Sequence, residues 1–199
     1  MLLYGAGGHA KVIISCIHSM GEEVEAIFDD DPLKTQLCGI NVSGKYDPGF
    51  CSDQPVILAI GDNHLRNKIS KIIRHRFETV IDPTSQIDKN VLIGEGTVIM
   101  PKCVLQVDSQ IGKHVIVNTG AIVEHDCRIA DFVHLAPGVV LCGNVYVGEN
   151  TLVGAGSIVV PNITIGSNCL IAAGTVITQD IPDGSIVRGN PGRIIRKIC

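Results

Sequence analysis

Two adjacent side chains in this sequence are suited to moving a proton, His125 and Asp126. An imidazole is half neutral near pH 6.5, so it accepts a proton from a reacting group at ordinary working pH. A neighbouring carboxylate orients the ring and stabilises the imidazolium that forms. Adjacent side chains of an extended strand point to opposite faces, so the pair acts as a unit only at a turn. The alternative is a solvated corner with no chemistry. A second candidate is the run Gly5-Ala6-Gly7-Gly8-His9-Ala10, which fits GxGxxG/A. Asp29 to Asp31 follow about twenty residues on, where a ribose-binding acid belongs in dinucleotide sites. Such a turn serves equally well for close helix packing alone.

The elements that must hold these residues follow two patterns. Residues 1–80 read as a small Rossmann-like α/β domain: strand MLLYGA, the glycine turn, a helix around KVIISCIHSM, strands VEAIFDD and PVILAIGD, and a helix HLRNKISKII. That is about half of a full dinucleotide fold, so a single nucleoside diphosphate fits better than NAD, its phosphates facing amides of the turn and helix start.

Residues 81–180 switch period. Every sixth residue from Ile87 to Ile177 is aliphatic, and two positions before each stands a small or β-branched residue such as Thr97, Cys103 or Ser109. This is the signature of a hexapeptide β-helix, in which short strands gain a core only when neighbouring coils stack. Three hexapeptides close a coil, so sixteen repeats predict about five coils. Residues 181–199 read as a tail.

The middle residue of each strand points outward, and intervals of eighteen separate three faces. Face one reads Val104, Ile122, Val140, Ile158, Val176; face two Val98, Ile116, His134, Leu152, Leu170; face three Leu92, Gln110, Arg128, Tyr146, Thr164. Only the third suits water. Two apolar faces exceed the patch a soluble monomer exposes, which predicts a homotrimer with face one of each copy against face two of the next. His134 is the one polar side chain on face two, and an unpartnered polar group there is costly, so a functional partner is expected. Interface packing is the bland alternative. His125 and His134 lie half a coil apart, so they share a site only across two chains.

Composition excludes other classes. A net charge of −4 and 4% aromatic residues give no basic stripe for nucleic acid. No apolar run is long enough for a membrane span, and the N-terminus lacks the basic start of a signal peptide, so a cytoplasmic protein is expected. The eight cysteines, Cys199 included, form no CxxC pair and read as reduced thiols used as small core residues.

Together, YGAGGHAKVI, FDDDP, AIGDNHLRNKI, IDPTSQI, VNTGAIVEHDCRIADFVHLAPG and RGNPG resemble the PglD/NeuD-like sugar acyltransferases of sialic-acid and bacillosamine pathways. The resemblance spans the whole chain and implies a left-handed sense for the parallel β-helix. It implies an acetyl-CoA-dependent N-acetyltransferase acting on a UDP-linked 4-amino-4,6-dideoxy sugar in bacterial glycan synthesis, with no metal. It makes His125 the base and Asp126 its partner, a departure from the Glu that many members carry. It gives His134, Gly143, Ala155 and Ala173 to acetyl-CoA, although members often have Gly at the last. Gly7, Gly8, His9, Asp30, Asp31 and Gly61 would hold the nucleotide sugar, and Asn118 would stand near the acceptor. Arg188, Arg193 and Arg196 would meet CoA phosphates or form a solvated tail. Sugar O-acetylation of the sialic-acid type and a non-catalytic nucleotide-sugar-binding trimer are the competing readings. A zinc carbonic anhydrase of this fold needs three histidine ligands, and the HxxxxH pair is missing.

Overall fold

A computed structural model describes residues 1–197; Cys199 lies outside them. The N-terminal domain is built on a parallel sheet of β1 (Leu2–Tyr4), β2 (Ala26–Phe28) and, after a hairpin of β3 (Gln36–Leu37) and β4 (Ile40–Asn41), β5 (Val56–Leu58). Their order is β2-β1-β5. Helix α1 (Gly8–Ser19) links β1 to β2, and α2 (Asn63–Ser70) follows β5. Both sheet faces are apolar and buried, as parallel strands require. The β3–β4 hairpin carries no alternating apolar pattern and was not expected.

The second unit is the left-handed parallel β-helix of the hexapeptide type. Its two-residue strands pair in parallel with partners eighteen residues away, as in Val104↔Ile122↔Val140 and Ile116↔His134↔Leu152. There are about six turns, against the five expected. At the start, β6 (Val80–Ile81) already pairs with Val98–Ile99. At the end, Ser185–Arg188 stacks on Leu170–Ile171 with a spacing of sixteen, which a strict period does not extend to, and Arg193–Lys197 folds back antiparallel.

The aliphatic positions and the small residues two before them both point inward, from Thr97 and Ile99 to Thr175 and Ile177. Most of the small polar ones are satisfied by the next coil; Thr175 instead donates to Ala172 O of its own coil. Thr97, Ser109, Thr151 and Ser157 hydroxyls each donate to a carbonyl fifteen residues on, and the Cys103 and Cys127 thiols donate to Asn118 O and Cys142 O. The buried thiols are therefore weak donors as well as fillers.

Face two departs from expectation. Val98 and Ile116, each 1% exposed, pack with Ala10, Ile13 and Met100 in one core. The chain's own α1 covers the first coils, so only the upper part, Leu152 and Leu170, is left for another copy. A period of eighteen defines faces but carries no information about a domain folded back on them. Face one keeps its outward Val104, Ile122 and Val140 partly exposed and Ile158 at 41%. Among the described residues no helix is long and apolar enough to cross a membrane.

Candidate active site

His125 and Asp126 stand at the corner between faces one and three, after strand Ile122–Val123 and before Arg128–Ile129. Asp126 has φ +62°, one of a column at this corner with Asp108, Asn144 and Asn162. Asp and Asn tolerate this left-handed conformation best among side-chain-bearing residues. The bend turns the carboxylate back on its neighbour: His125 Nδ1 lies 2.8 Å from Asp126 Oδ2. An ionised carboxylate only accepts, so the proton sits on Nδ1 and Nε2 is left as the basic nitrogen. Aspartate's shorter arm is long enough here. Both side chains are more than half exposed, in a groove with Asp108, Gln110, Arg128, Asn144 and Asn162.

Gly143 lies one coil on, directly beneath the His125 ring. A Cβ there would stand 2.5 Å from Cε1 and 2.6 Å from Nε2. Ala155 and Ala173 are stacked at a different corner, between faces two and one, where Asn118 also stands. One chain thus divides its expected acetyl-CoA residues between the two ends of face one.

A cavity of about 390 Å³ opens at the end of the N-terminal sheet, lined by Gly7, Gly8, His9, Asp30 and Gly61. That size suits a small-molecule ligand. The α1 N-terminus, capped by no side chain, opens on it, which favours an anion. A Cβ on Gly7, Gly8 or Gly61 would meet nothing within 4 Å, so the space beside them is free for ligand. Gly5 differs: at φ +111° its Cβ would lie 2.8 Å from Ala59 O, so it is needed for backbone approach.

Sequence reasoning missed Tyr4 and Lys34, which line the cavity together with Asp29, the first of the three candidate acids. Asp29 Oδ2 accepts from Ala6 N at 2.6 Å and Lys34 Nζ at 2.8 Å. Burial pushes the Asp29 carboxyl up, but the bonds from Lys34, Asp31 N and Ala6 N outweigh it and hold it below the usual range. Tyr4 Oη donates to Asp30 Oδ2 at 2.8 Å, and burial with that carboxylate raises the phenol well above its ordinary value. Asp31 is outside the lining, exposed, and accepts from Leu33 N. The FDDDP run narrowed the acid to three neighbours without telling which one ends the strand facing inward.

His134 stands where the two domains meet. Its Nδ1 donates to Gly61 O at 3.3 Å and its Nε2 accepts from Asn118 Nδ2 at 3.1 Å, so both ring nitrogens have partners in their own chain. The His9 ring is 6.1 Å away, centre to centre. Burial, with the Arg66 charge second, pushes His9 and His134 down to about 4, so both are neutral at physiological pH. Arg66, unremarked in the sequence, is 1% exposed and donates to main-chain oxygens of both domains. Arg188, Arg193 and Arg196 are exposed on the terminal hairpin. Among the described residues no group of three or more His, Cys, Asp or Glu is arranged to hold a metal.

Comparison with known proteins agrees with this layout. Residues 1–73 match the family model of the PglD N-terminal domain, and 144–179 that of the bacterial transferase hexapeptide (six repeats). Perosamine N-acetyltransferase from Caulobacter crescentus, solved as a His-to-Asn variant with CoA and GDP-perosamine, is 36% identical, covering 98% of this chain and 96% of that one, with a TM-score of 0.93. The acetyltransferase domain of PglB from Neisseria gonorrhoeae, in complex with acetyl coenzyme A, is 33% identical over 98% of both chains, with a TM-score of 0.89. UDP-N-acetylbacillosamine N-acetyltransferase from Bacillus subtilis is 36% identical over 107 residues. The chain spans 20% and 50% of the lengths of the two curated relatives it matches. Near full-length identity of 36% to a solved relative, two matching domain models and the His125–Asp126 corner lead to one conclusion: the chain belongs to the PglD/NeuD-like family of hexapeptide-repeat sugar acyltransferases.

Proposed function

We propose that this protein transfers the acetyl group of acetyl-CoA to the amino group of a UDP-linked 4-amino-4,6-dideoxy sugar, with His125 as general base and direct transfer between substrates. The observation that carries this is the 2.8 Å bond from His125 Nδ1 to Asp126, which leaves Nε2 basic above Gly143. The sugar nitrogen attacks the thioester carbonyl as its proton passes to Nε2. Asp126 stabilises the resulting imidazolium, which returns the proton to the departing thiolate. A base of this kind contributes about 10²- to 10⁴-fold.

The nucleotide sugar occupies the cavity of Gly7, Gly8, His9, Asp30 and Gly61, its diphosphate at the α1 N-terminus. Acetyl-CoA lies between two copies, along Ala155 and Ala173 of one toward Gly143 of the other, with His134 at its margin. Within one chain the cavity borders face two while His125 stands between faces one and three. That separation, with the exposed apolar side chains of face one and with Leu152 and Leu170, supports a homotrimer whose sites lie between subunits. The experiment is thiol release from acetyl-CoA with UDP- and GDP-linked amino sugars, free amino sugars and sialic acid. Turnover with the UDP amino sugar alone supports the reading, turnover with the GDP sugar alone corrects the nucleotide, and turnover only with free sialic acid overturns it.

A further inference from the structure

Arg66 is a buried cation with no carboxylate among its hydrogen-bond partners. All its donor atoms are used: Nε to His114 O at 2.9 Å, Nη1 to Ile60 O at 2.9 Å and Gly61 O at 3.3 Å, Nη2 to Asn63 Oδ1 and Phe132 O at 2.9 Å each. Asp62, the nearest acid by charge, spends Oδ1 capping α2 through Leu65 N. Burying a guanidinium without a counter-ion is costly, and an apolar side chain of similar volume fills a purely structural position at lower cost.

The identity of the acceptors indicates what the arrangement does. His114 and Phe132 occupy the same corner of successive coils, and their carbonyls belong to the β-helix. Ile60 and Gly61 line the nucleotide cavity. A single planar fork therefore ties the cavity wall to two coils of the helix at once, a geometry that a rigid guanidinium supports and a single ammonium does not. Gly61 O is held a second time, by His134 Nδ1 of the same helix. No other side chain joins the 59–63 loop to the β-helix at so many points among the described residues; Asn63 to Asn150 O adds one bond.

We propose that Arg66 is a positioning residue that sets the register between the nucleotide cavity and the β-helix, so that the amino group of a bound nucleotide sugar arrives at the histidine that deprotonates it. This rests on the function proposed above. Displacing a reacting group by about 1 Å costs roughly 10²-fold in rate even when binding is intact.

The test compares wild type with Arg66→Met, which keeps bulk and removes the fork, and Arg66→Lys, which keeps the charge but cannot span four main-chain oxygens. Measured are kcat and KM for the amino sugar, Kd for UDP and for CoA by calorimetry, and oligomeric state. The expected result is a kcat lower by about 100-fold in Arg66→Met and by a smaller factor in Arg66→Lys, with both Kd values and assembly unchanged. Wild-type kcat in Arg66→Lys overturns the proposal, and so does loss of UDP binding in parallel with kcat, which makes Arg66 merely structural. Should Arg66→Met fail to fold, Arg66→Lys decides alone. A wild type that acetylates no nucleotide sugar overturns the proposed function and this inference with it, whereas an active wild type with unaffected variants overturns only the inference.

Discussion

Gly143→Ala tests the seat of the proposed base, His125, without changing that residue itself. The backbone at Gly143 is not in the left-handed region, so alanine is tolerated there locally. Its Cβ, however, would stand 2.5 Å from His125 Cε1 and 2.6 Å from Nε2. Ordinary contact begins near 3.4 Å, so the ring must withdraw by about 0.9 Å, and the 2.8 Å bond to Asp126 stretches or breaks with it. A misplacement of about 1 Å lowers the rate roughly 10²-fold, which sets the expected fall in kcat. The obstacle is an exposed side chain that can swing away, so the melting temperature should change little. The assay is thiol release at saturating acetyl-CoA, with a parallel thermal melt. A folded Gly143→Ala enzyme with wild-type kcat would show that His125 does not work from this position, and the base would have to be sought elsewhere.

His125→Ala should lower kcat by about 10²- to 10⁴-fold with assembly intact, and Asp126→Asn should cost less, since an amide orients the ring but cannot stabilise its charge; a larger loss for Asp126→Asn reverses these roles. If the site lies between subunits and His125→Ala and His134→Ala are each strongly impaired alone, co-assembly of the two chains should restore activity toward about a quarter of wild type, because two contributing chains must each be of the right kind. Mixed trimers that form without regaining activity refute the shared site. His114 is 4% exposed between Phe77 and Phe132, and burial, then Arg66, pushes it down to about 4. The unfolded chain binds that proton near pH 6.5 and the folded chain only near 4, so stability is full above 6.5 and declines as pH falls toward 4. His114 alone accounts for about 3 kcal/mol of that loss. Melting temperatures across this range check the sign, and a flat profile contradicts it.

The sequence alone determined the β-helix and the placing of His125 and Asp126 together at one of its corners. A six-residue period is a local, repeated instruction: Ile99, Leu105 and Ile111 each need the coil above and below, and the same need recurs along the chain until it leaves one architecture. The turn position of His125 and Asp126 followed from the same count, and the glycine turn marked the end of β1. What the sequence could not supply were relations between residues far apart in the chain. That α1 covers Val98 and Ile116, leaving face two only partly open, depends on how the first domain folds back on the second. Arg66 was invisible because an arginine in a polar helix reads as a solvated charge until His114 O and Phe132 O are brought to it. His134 was legible as an oddity on an apolar face, but its partners, Gly61 O and Asn118, lie 73 and 16 residues away. Periodicity fixes which side of a coil a residue occupies; what meets it there is settled by tertiary packing, because burial and hydrogen bonding depend on neighbours in space.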